Sequence, residues 1–446
     1  MDAGLEAQID QWRGYVRRHR AIAASDVDEM EDHLRGQVDD LRATGLDDDE
    51  AFLVAVRRMG ALDAVSREFA REHSERLWKQ LVLVPGADDA GDGPRWRELA
   101  VVLGFAVGAG VAVRLGLTLL PEDVLARFVT FLVLPFLGGY LGWKRRIGVR
   151  TVLAVVAPAV VLALVLALYP FAAGGSTEVI AALHAPVVLW GLLGVVYVGG
   201  RWRSHPGRMD FVRFTGELAV YVALLALGGG VLVGLTAATV SLAGGDLETV
   251  MGEWIMPFAV PGAVVVAAWL VEAKQAVVEN IAPVLTRVFT PLTIVMLVGL
   301  AVVLLGAGDL ADVERELLIL LDAILVLVLC LLLYSISARD PLAPPGVSDR
   351  LQLVLVGVAL VVDAVALTAM ASRIAEFGAS PNKVVALGLN LLLLVHLVRA
   401  GWLGLGFVRG RRPFDDASRW QTTYLPVYAV WAAGVVLVLP PVVGFV

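Results

Sequence analysis

The chain has 446 residues, 58% of them hydrophobic and 18% charged, with a mean hydropathy of +0.77. Soluble domains are about 45–50% apolar and about 25% charged, so this composition excludes a disordered tail, a disulfide scaffold and an ordinary soluble enzyme. Residues 1–98 hold 14 Arg/Lys against 22 Asp/Glu, and residues 99–446 hold 22 against 21; an acidic head precedes a nearly neutral body, which argues against nucleic-acid binding and against docking on anionic lipid by charge alone.

A single cysteine, Cys330, lies inside an apolar run. Neither an intramolecular disulfide nor a cysteine metal cluster is expected from it. The N-terminal MDAGLEAQID has no basic segment followed by an apolar stretch, so no cleaved signal peptide is expected. The 32 Arg against 4 Lys, in a chain rich in Ala, Gly and Val, point to GC-rich coding and a bacterial source.

In the head, Leu5, Ile9, Trp12 and Val16 share one helical face, and Val27, Met30, Leu34, Val38 and Leu41 share another. Ser25 suits the N-cap of the second helix, with Asp28 and Glu29 in a first turn where the helix dipole favours acids. Gly45 suits its C-terminal stop. Asp47 and Glu50 open a third helix in capping-box style, carrying Phe52, Val56 and Met59 and ending at Gly60. Leu62, Val65 and Phe69 start a fourth that runs to about Trp78. A small helical domain over 1–79 follows, with surface histidines at His19, His33 and His73. A linker is expected over 80–97, centred on PGADDAGDGP at 85–94, and a multi-pass body over 98–446.

A spanning helix needs about 20 mostly apolar residues. Eleven spans are expected, near 98–119, 124–143, 150–171, 184–200, 213–238, 255–273, 288–307, 315–336, 351–371, 384–401 and 424–444. With the head in the cytoplasm, the loops on its side hold 17 Arg/Lys and the opposite loops five, which sets the orientation and leaves the C-terminus outside. Trp143, Trp202, Trp254, Trp402 and Trp420 fall at span ends, as interfacial belts do. The pairs Gly104/Gly108, Gly138/Gly142 and Gly230/Gly234 suit close helix packing. Pro135, Pro158, Pro261 and Pro291 should kink or break spans. Residues 272–290 are more polar and read as an interfacial helix. At the inner ends, Arg213/Glu217 and Glu272/Lys274 read as interfacial anchors.

Charged residues in hydrocarbon are costly and mark functional candidates. Asp322 and Asp363 lie in consecutive antiparallel spans, roughly 10–14 Å below the outer surface by helical rise. Asn390 falls at a similar depth in the next span, and His396 lies about 9 Å further in along the same helix. Paired carboxylates at one level can carry a proton or a cation. The same groups can also serve as polar glue between helices. There is no GxSxG, HExxH, P-loop or GxGD motif, so neither an enzyme nor a cofactor or metal site is expected.

The head sequences WRGYVRRHRAIAASDVDEMEDHLRGQVDDL, GLDDDEAFLVAVRRMG and FAREHSERLWKQL resemble the bacterial permease prefix domain. The body, with FVRFTGELAVYVALLALGGGVL, YSISARDPLAPPG, RIAEFGASPNKVVALGLNLLLLVHL and RWQTTYLPVYAVWAA, resembles a multi-pass family of unassigned function. The resemblance implies an all-α polytopic protein of the bacterial inner membrane with a small N-terminal cytoplasmic helical domain. Similar heads accompany operons that encode PadR-type regulators, which implies a cytoplasmic partner, a regulator or a transport subunit, for residues 1–79. Two functions are expected: permeation of a small solute or ion, or a sensor or scaffold that signals through the head.

Overall fold

The computed structural model describes residues 5–6, 9, 24–43, 46–48, 51–52, 55, 93–242, 248–273, 281–306 and 315–446. The chain divides into two compact units, Met1–Pro94 and Arg95–Val446. Among the described residues every regular element is a helix.

In the first unit, α1 (Ala24–Ala43) carries Leu34, Val38 and Leu41 on the expected face. They are buried with Leu5, Ile9, Ala51 and Ala55, and Leu46 and Phe52 pack on the edge. The helix begins at Ala24, so Ser25 lies inside its first turn and is not the N-cap. Gly45, Trp12, Val16, Glu50, Val56, Met59 and the fourth helix lie outside the described residues, as does the linker between 80 and 92. The Arg35 guanidinium grips the Glu6 carboxylate with two hydrogen bonds, of 2.7 and 2.9 Å, and Glu31 at 2.9 Å.

The second unit begins with α2 (Gly93–Leu119), so residues 93–97 are helical and not linker. There follow α3 (Glu122–Arg145), α4 (Val149–Leu168), α5 (Ser176–Tyr197) and α6 (His205–Leu242). A short helix with a π-helical turn at Met251–Ile255 leads into α7 (Met256–Ala273). Next come α8 (Ile281–Gly306), α9 (Arg315–Ser337), α10 (Val347–Phe377), α11 (Pro381–Val408), α12 (Phe414–Leu437) and the single turn α13 (Leu439–Val442). Ten of these helices, α2 to α11, are long and apolar enough to cross a membrane. Their outer faces are apolar: Leu153, Leu183, Leu227, Leu235, Val302 and Val395 are all exposed. Without water in the hydrocarbon, every backbone amide must be satisfied within its own helix, and these long uninterrupted helices do that. The chain is an all-α polytopic membrane protein in contact with the bilayer.

The eleventh expected span, 424–444, takes a different form. Helix α12 is too polar to count as a crossing by composition, and it ends at Leu437. It nevertheless reaches from one end of the body to the other. Near its start Thr422 meets His205 and Arg208 of α6, and at its far end the Leu437 carbonyl accepts from the Tyr169 hydroxyl at 2.7 Å.

Several boundaries move outward for one reason: a polar residue with a partner does not end a helix. Helix α5 starts at Ser176, eight residues before the expected 184, and its Glu178 lies 3.1 Å from Arg127 and accepts from the Gly174 amide. The basic turns before 213 belong to α6, which has 38 residues. The expected interfacial helix is not separate from residue 281 onward, because Ile281–Gly306 is one helix; residues 274–280 lie outside the described residues.

Two large cores are built, with smaller clusters where α4, α5, α11 and α12 meet. One gathers Val102, Leu137, Tyr140, Leu193, Phe214, Leu218, Val265 and Ala268 from α2, α3, α5, α6 and α7. The other gathers Leu297, Leu321, Leu325, Leu355, Val362, Ala366, Leu393 and Leu397 from α8 to α11, with Phe414 of α12. Helix α12 packs on α5 of the first core and on α11 of the second. The turn between α9 and α10 is fastened by Arg339, which donates to Asp349 at 2.7 Å and lies 4.6 and 4.5 Å from the rings of Phe407 and Phe414.

The helices run on through Pro135, Pro158, Pro261 and Pro291; none breaks. The small-residue pairs separate into two kinds. A side chain at Gly108 or Gly142 would meet Phe136 or Ile147, whereas Gly104, Gly230 and Gly234 face open space. The distal half of α6 touches few of the other described residues, and none of them packs on its glycines. A closer approach occurs at Gly388 of α11, where an added Cβ would strike the Trp431 ring of α12.

Two measurements follow. Gly388→Ala should lower thermal stability in detergent by about 1–3 kcal/mol through overpacking, while Gly230→Ala should be neutral or stabilising. In the first unit, Arg35 holds the Glu6 carboxyl below its usual range, chiefly through their hydrogen bond. A depressed acid contributes stability that is present above its unfolded value and lost as the pH falls through its folded value. Hydrogen-exchange protection of Ala24–Ala43 in the whole chain should therefore drop between about pH 5 and about pH 3, and by less in Arg35→Gln.

Candidate functional site

The second core contains polar groups that its position does not require. Asp322 is on α9, Asp363 on α10, and Asn390 and His396 on α11. Asp363, Asn390 and His396 are completely buried, and Asp322 is half-buried.

Asp322 and Asn390 meet. The Asn390 amide donates to Asp322 Oδ1 at 2.8 Å and also approaches the Met370 sulfur at 3.4 Å. The remaining oxygen of Asn390 is buried without a hydrogen-bond partner among the described residues. Asp363 is the more unusual group. Both of its carboxyl oxygens are buried and neither has a partner among the described residues. Asp322 is the charged neighbour it feels. A polar group stripped of water and left without a hydrogen bond costs about 1–3 kcal/mol by protein mutational measures, and more if it is charged. The neighbours of Asp363 along α10 are small or aliphatic, Val362, Ala366 and Ala359, all buried, so the local helix supplies no donor.

His396 belongs to a second constellation, two turns further along α11. Its ring hydrogen-bonds Gln421 through Nε2 and the Tyr428 hydroxyl through Nδ1, the latter at 3.0 Å. With the Gln421 carbonyl oxygen turned to the ring, Nε2 carries the hydrogen and Nδ1 accepts from Tyr428. Three aromatic rings surround it: Trp420 at 6.0 Å, Tyr424 at 4.9 Å and Tyr428 at 5.8 Å between centroids. The Trp420 indole donates to the His396 carbonyl at 3.2 Å, and Tyr424 donates to the Leu392 carbonyl at 3.1 Å. Tyr428 also lies within electrostatic reach of Asp363. The aspartate pair and the histidine cage are thus neighbouring parts of one polar seam through α9, α10, α11 and α12.

Counting residues along the spans placed Asp322, Asp363 and Asn390 at one level, and the structure brings Asp322 onto Asn390. It does not bring His396 to the carboxylates directly. The missed residues are Gln421, Tyr424 and Tyr428. Their spacing of three and four puts them on one face of α12, a signal present in RWQTTYLPVYAVWAA. The residues read as inner anchors do more than anchor. Glu272 pairs with Arg145 of α3 at 2.8 Å, and Arg213 donates twice to the Ser337 carbonyl of α9. Among the described residues no three of His, Cys, Asp and Glu gather as a metal site.

No protein-family model matches the chain, and no curated protein or solved structure matches it.

The seam yields a stability test. Asp363→Leu removes an unsatisfied carboxyl and should raise stability to thermal unfolding in detergent by about 1–3 kcal/mol. Asn390→Leu takes the donor from Asp322 and should lower it by about 1–3 kcal/mol. A loss of stability in Asp363→Leu would show that the carboxyl holds the helices together.

Proposed function

We propose that the protein is a permease of a bacterial inner membrane that moves a small solute or ion, with Asp322, Asp363 and Asn390 as its intramembrane site. The observation that supports this reading is Asp363. A buried carboxyl with no hydrogen-bond partner weakens the packing around it, and polar groups of this kind inside membranes mark proton and ion pathways. Asp322, held by Asn390 and half-exposed, gives the pair one member that reaches toward the surroundings. A proton or cation taken up there relieves the repulsion between the two carboxylates. His396, bonded to Tyr428, lies nearly two turns beyond Asn390 along α11, on the side of the Arg-rich end.

The Arg-rich end faces the cytoplasm in this reading, because short cytoplasmic loops carry the excess of Arg and Lys. The N-terminal unit, of the permease prefix type, then lies in the cytoplasm and the end of α12 lies outside. Residues 1–79 are its surface for a cytoplasmic protein.

The test uses the full chain in liposomes with a trapped pH indicator and an imposed potassium–valinomycin potential. Wild-type vesicles should move protons, and Asp322→Asn with Asp363→Asn should slow that flux at least about tenfold, with folding unchanged. Flux that is equal in the variant sinks the aspartate site. No flux from well-folded wild-type protein sinks proton-driven transport and turns the reading to a sensor or scaffold acting through residues 1–79.

A further inference from the structure

A second site lies away from the polar seam, at the Arg-rich end of the first core. A cavity of about 440 Å³ opens between the end of α3, the turn from α5 to α6, the first turns of α6 and the end of α7. That volume falls within the range of small-molecule sites, about 300–1,000 Å³. Its walls are charged where the rest of the core is apolar: Arg145, Arg201, Arg213, Asp210 and Glu217 all line it.

The charges are incompletely paired. Arg145 is neutralised by Glu272 at 2.8 Å and stacks on the Tyr197 ring at 4.6 Å. Arg213 spends two of its nitrogens on the Ser337 carbonyl. Glu217 is almost wholly buried in the wall. The side chains of Arg201 and Asp210, by contrast, make neither a hydrogen bond nor an ion pair with any described residue, and they do not pair with each other. Besides Arg145 with its Glu272 partner, the walls carry Arg201, Arg213, Asp210 and Glu217, and of these only the Arg201 and Asp210 side chains are unbonded to any described residue. A bare anion entering this space meets Asp210 and Glu217, and a bare cation meets Arg201 and Arg213. A ligand that carries both charges, separated, is opposed by neither.

The wall that carries Arg201 is held in shape. Gly199 and Gly200 have φ of +63° and +82°, the left-handed region, and a side chain at Gly200 would meet Thr151 at 2.5 Å. Ser204 accepts from the Gly207 amide at 3.2 Å and closes the turn into α6. The turn also carries Trp202, and Trp143 lies one turn before the end of α3; both are exposed, as aromatic residues at headgroup depth are. Two guanidiniums suit a phosphate better than they suit a carboxylate ligand, since their donors match its several oxygens.

We propose that this vestibule binds a phosphoethanolamine-type zwitterion, with its phosphate on Arg201 beside Arg213 and its ammonium on Asp210. The group has two sources, the headgroup of a phosphatidylethanolamine in the surrounding leaflet or a free soluble amino-phosphate ester. The proposal stands independently of the aspartate site.

The full chain, delipidated in detergent, would be titrated with phosphatidylethanolamine and with phosphatidylglycerol and read by native mass spectrometry. Soluble glycerophosphoethanolamine would be titrated in parallel by calorimetry. Phosphatidylethanolamine should bind at least about tenfold more tightly than phosphatidylglycerol; Asp210→Asn should remove that preference, and Arg201→Gln should weaken binding of both lipids by about tenfold. Arg201→Lys, which keeps the charge, should retain most of the affinity, and Arg203→Gln, outside the cavity, should change nothing. Binding of the lipid but not of the soluble ester assigns the site to a lipid headgroup. Binding of both with the same variant pattern assigns it to the free ester as well. Equal binding of the two lipids, or wild-type binding in both Arg201→Gln and Asp210→Asn, overturns the proposal.

Discussion

The structure depends on the absence of water around its backbone. In hydrocarbon an unpaired amide or carbonyl costs several kcal/mol, so the body is built of helices that close their own hydrogen bonds, joined at its two ends. Against that background the side chains divide cleanly. Leu and Val face outward along α4, α6 and α8, mostly apolar residues fill the cores, and each buried polar group calls for an account. Arg127 with Glu178 has one, an ion pair. Asp322 with Asn390 has one, a hydrogen bond. Asp363 has none among the described residues.

Helix α12 shows how a segment too polar for lipid can lie beside apolar ones. Gln421 and Thr422 are buried, and Tyr424 and Tyr428 turn their hydroxyls to the Leu392 carbonyl and to His396. Much of the polar face of the helix is thereby bonded to α11 and α6, while Gln421 Nε2 and the Trp431 indole N–H are buried without a partner among the described residues. Its other contacts, with α5, lie across from the first core, so the helix that carries the histidine cage also joins the two halves. Gln421 keeps a bond through its oxygen to His396, whereas neither oxygen of Asp363 has a partner among the described residues, which is why Asp363 draws a functional reading and Gln421 a structural one.

Much of this was legible in the residues. Long apolar runs mark helices α2 to α11 because hydropathy alone decides which segments can lie in hydrocarbon. Helical rise placed Asp322, Asp363 and Asn390 at one level because depth along a helix is simple counting. Rotation about the helix axis is not countable without a partner, so the Asp322–Asn390 contact and the isolation of Asp363 could not be read. The ends were misjudged where charges fall inside helices. Glu178, Arg208 and Asp210 depress hydropathy, yet the backbone bonds of α5 and α6 continue past them. Helix α12 was read as a span for its Val, Ala and Leu, while its tyrosines and Gln421, which make the histidine cage, read only as polar dilution. At Gly230 and Gly234 the spacing was right for packing, but no described helix lies opposite.

The 38 residues of α6 correspond to about 57 Å of helix, nearly twice the roughly 30 Å of a bilayer core. Its first turns are built into the vestibule and its later turns stand almost free, with Leu227, Leu232, Leu235 and Leu242 bare. A helix fixed at one end and overlong at the other accommodates mismatch by tilting, at a cost of fractions of a kcal/mol per Å. The thickness of the membrane therefore acts on this protein through one lever arm, and the arm's anchored end forms a wall of the charged cavity.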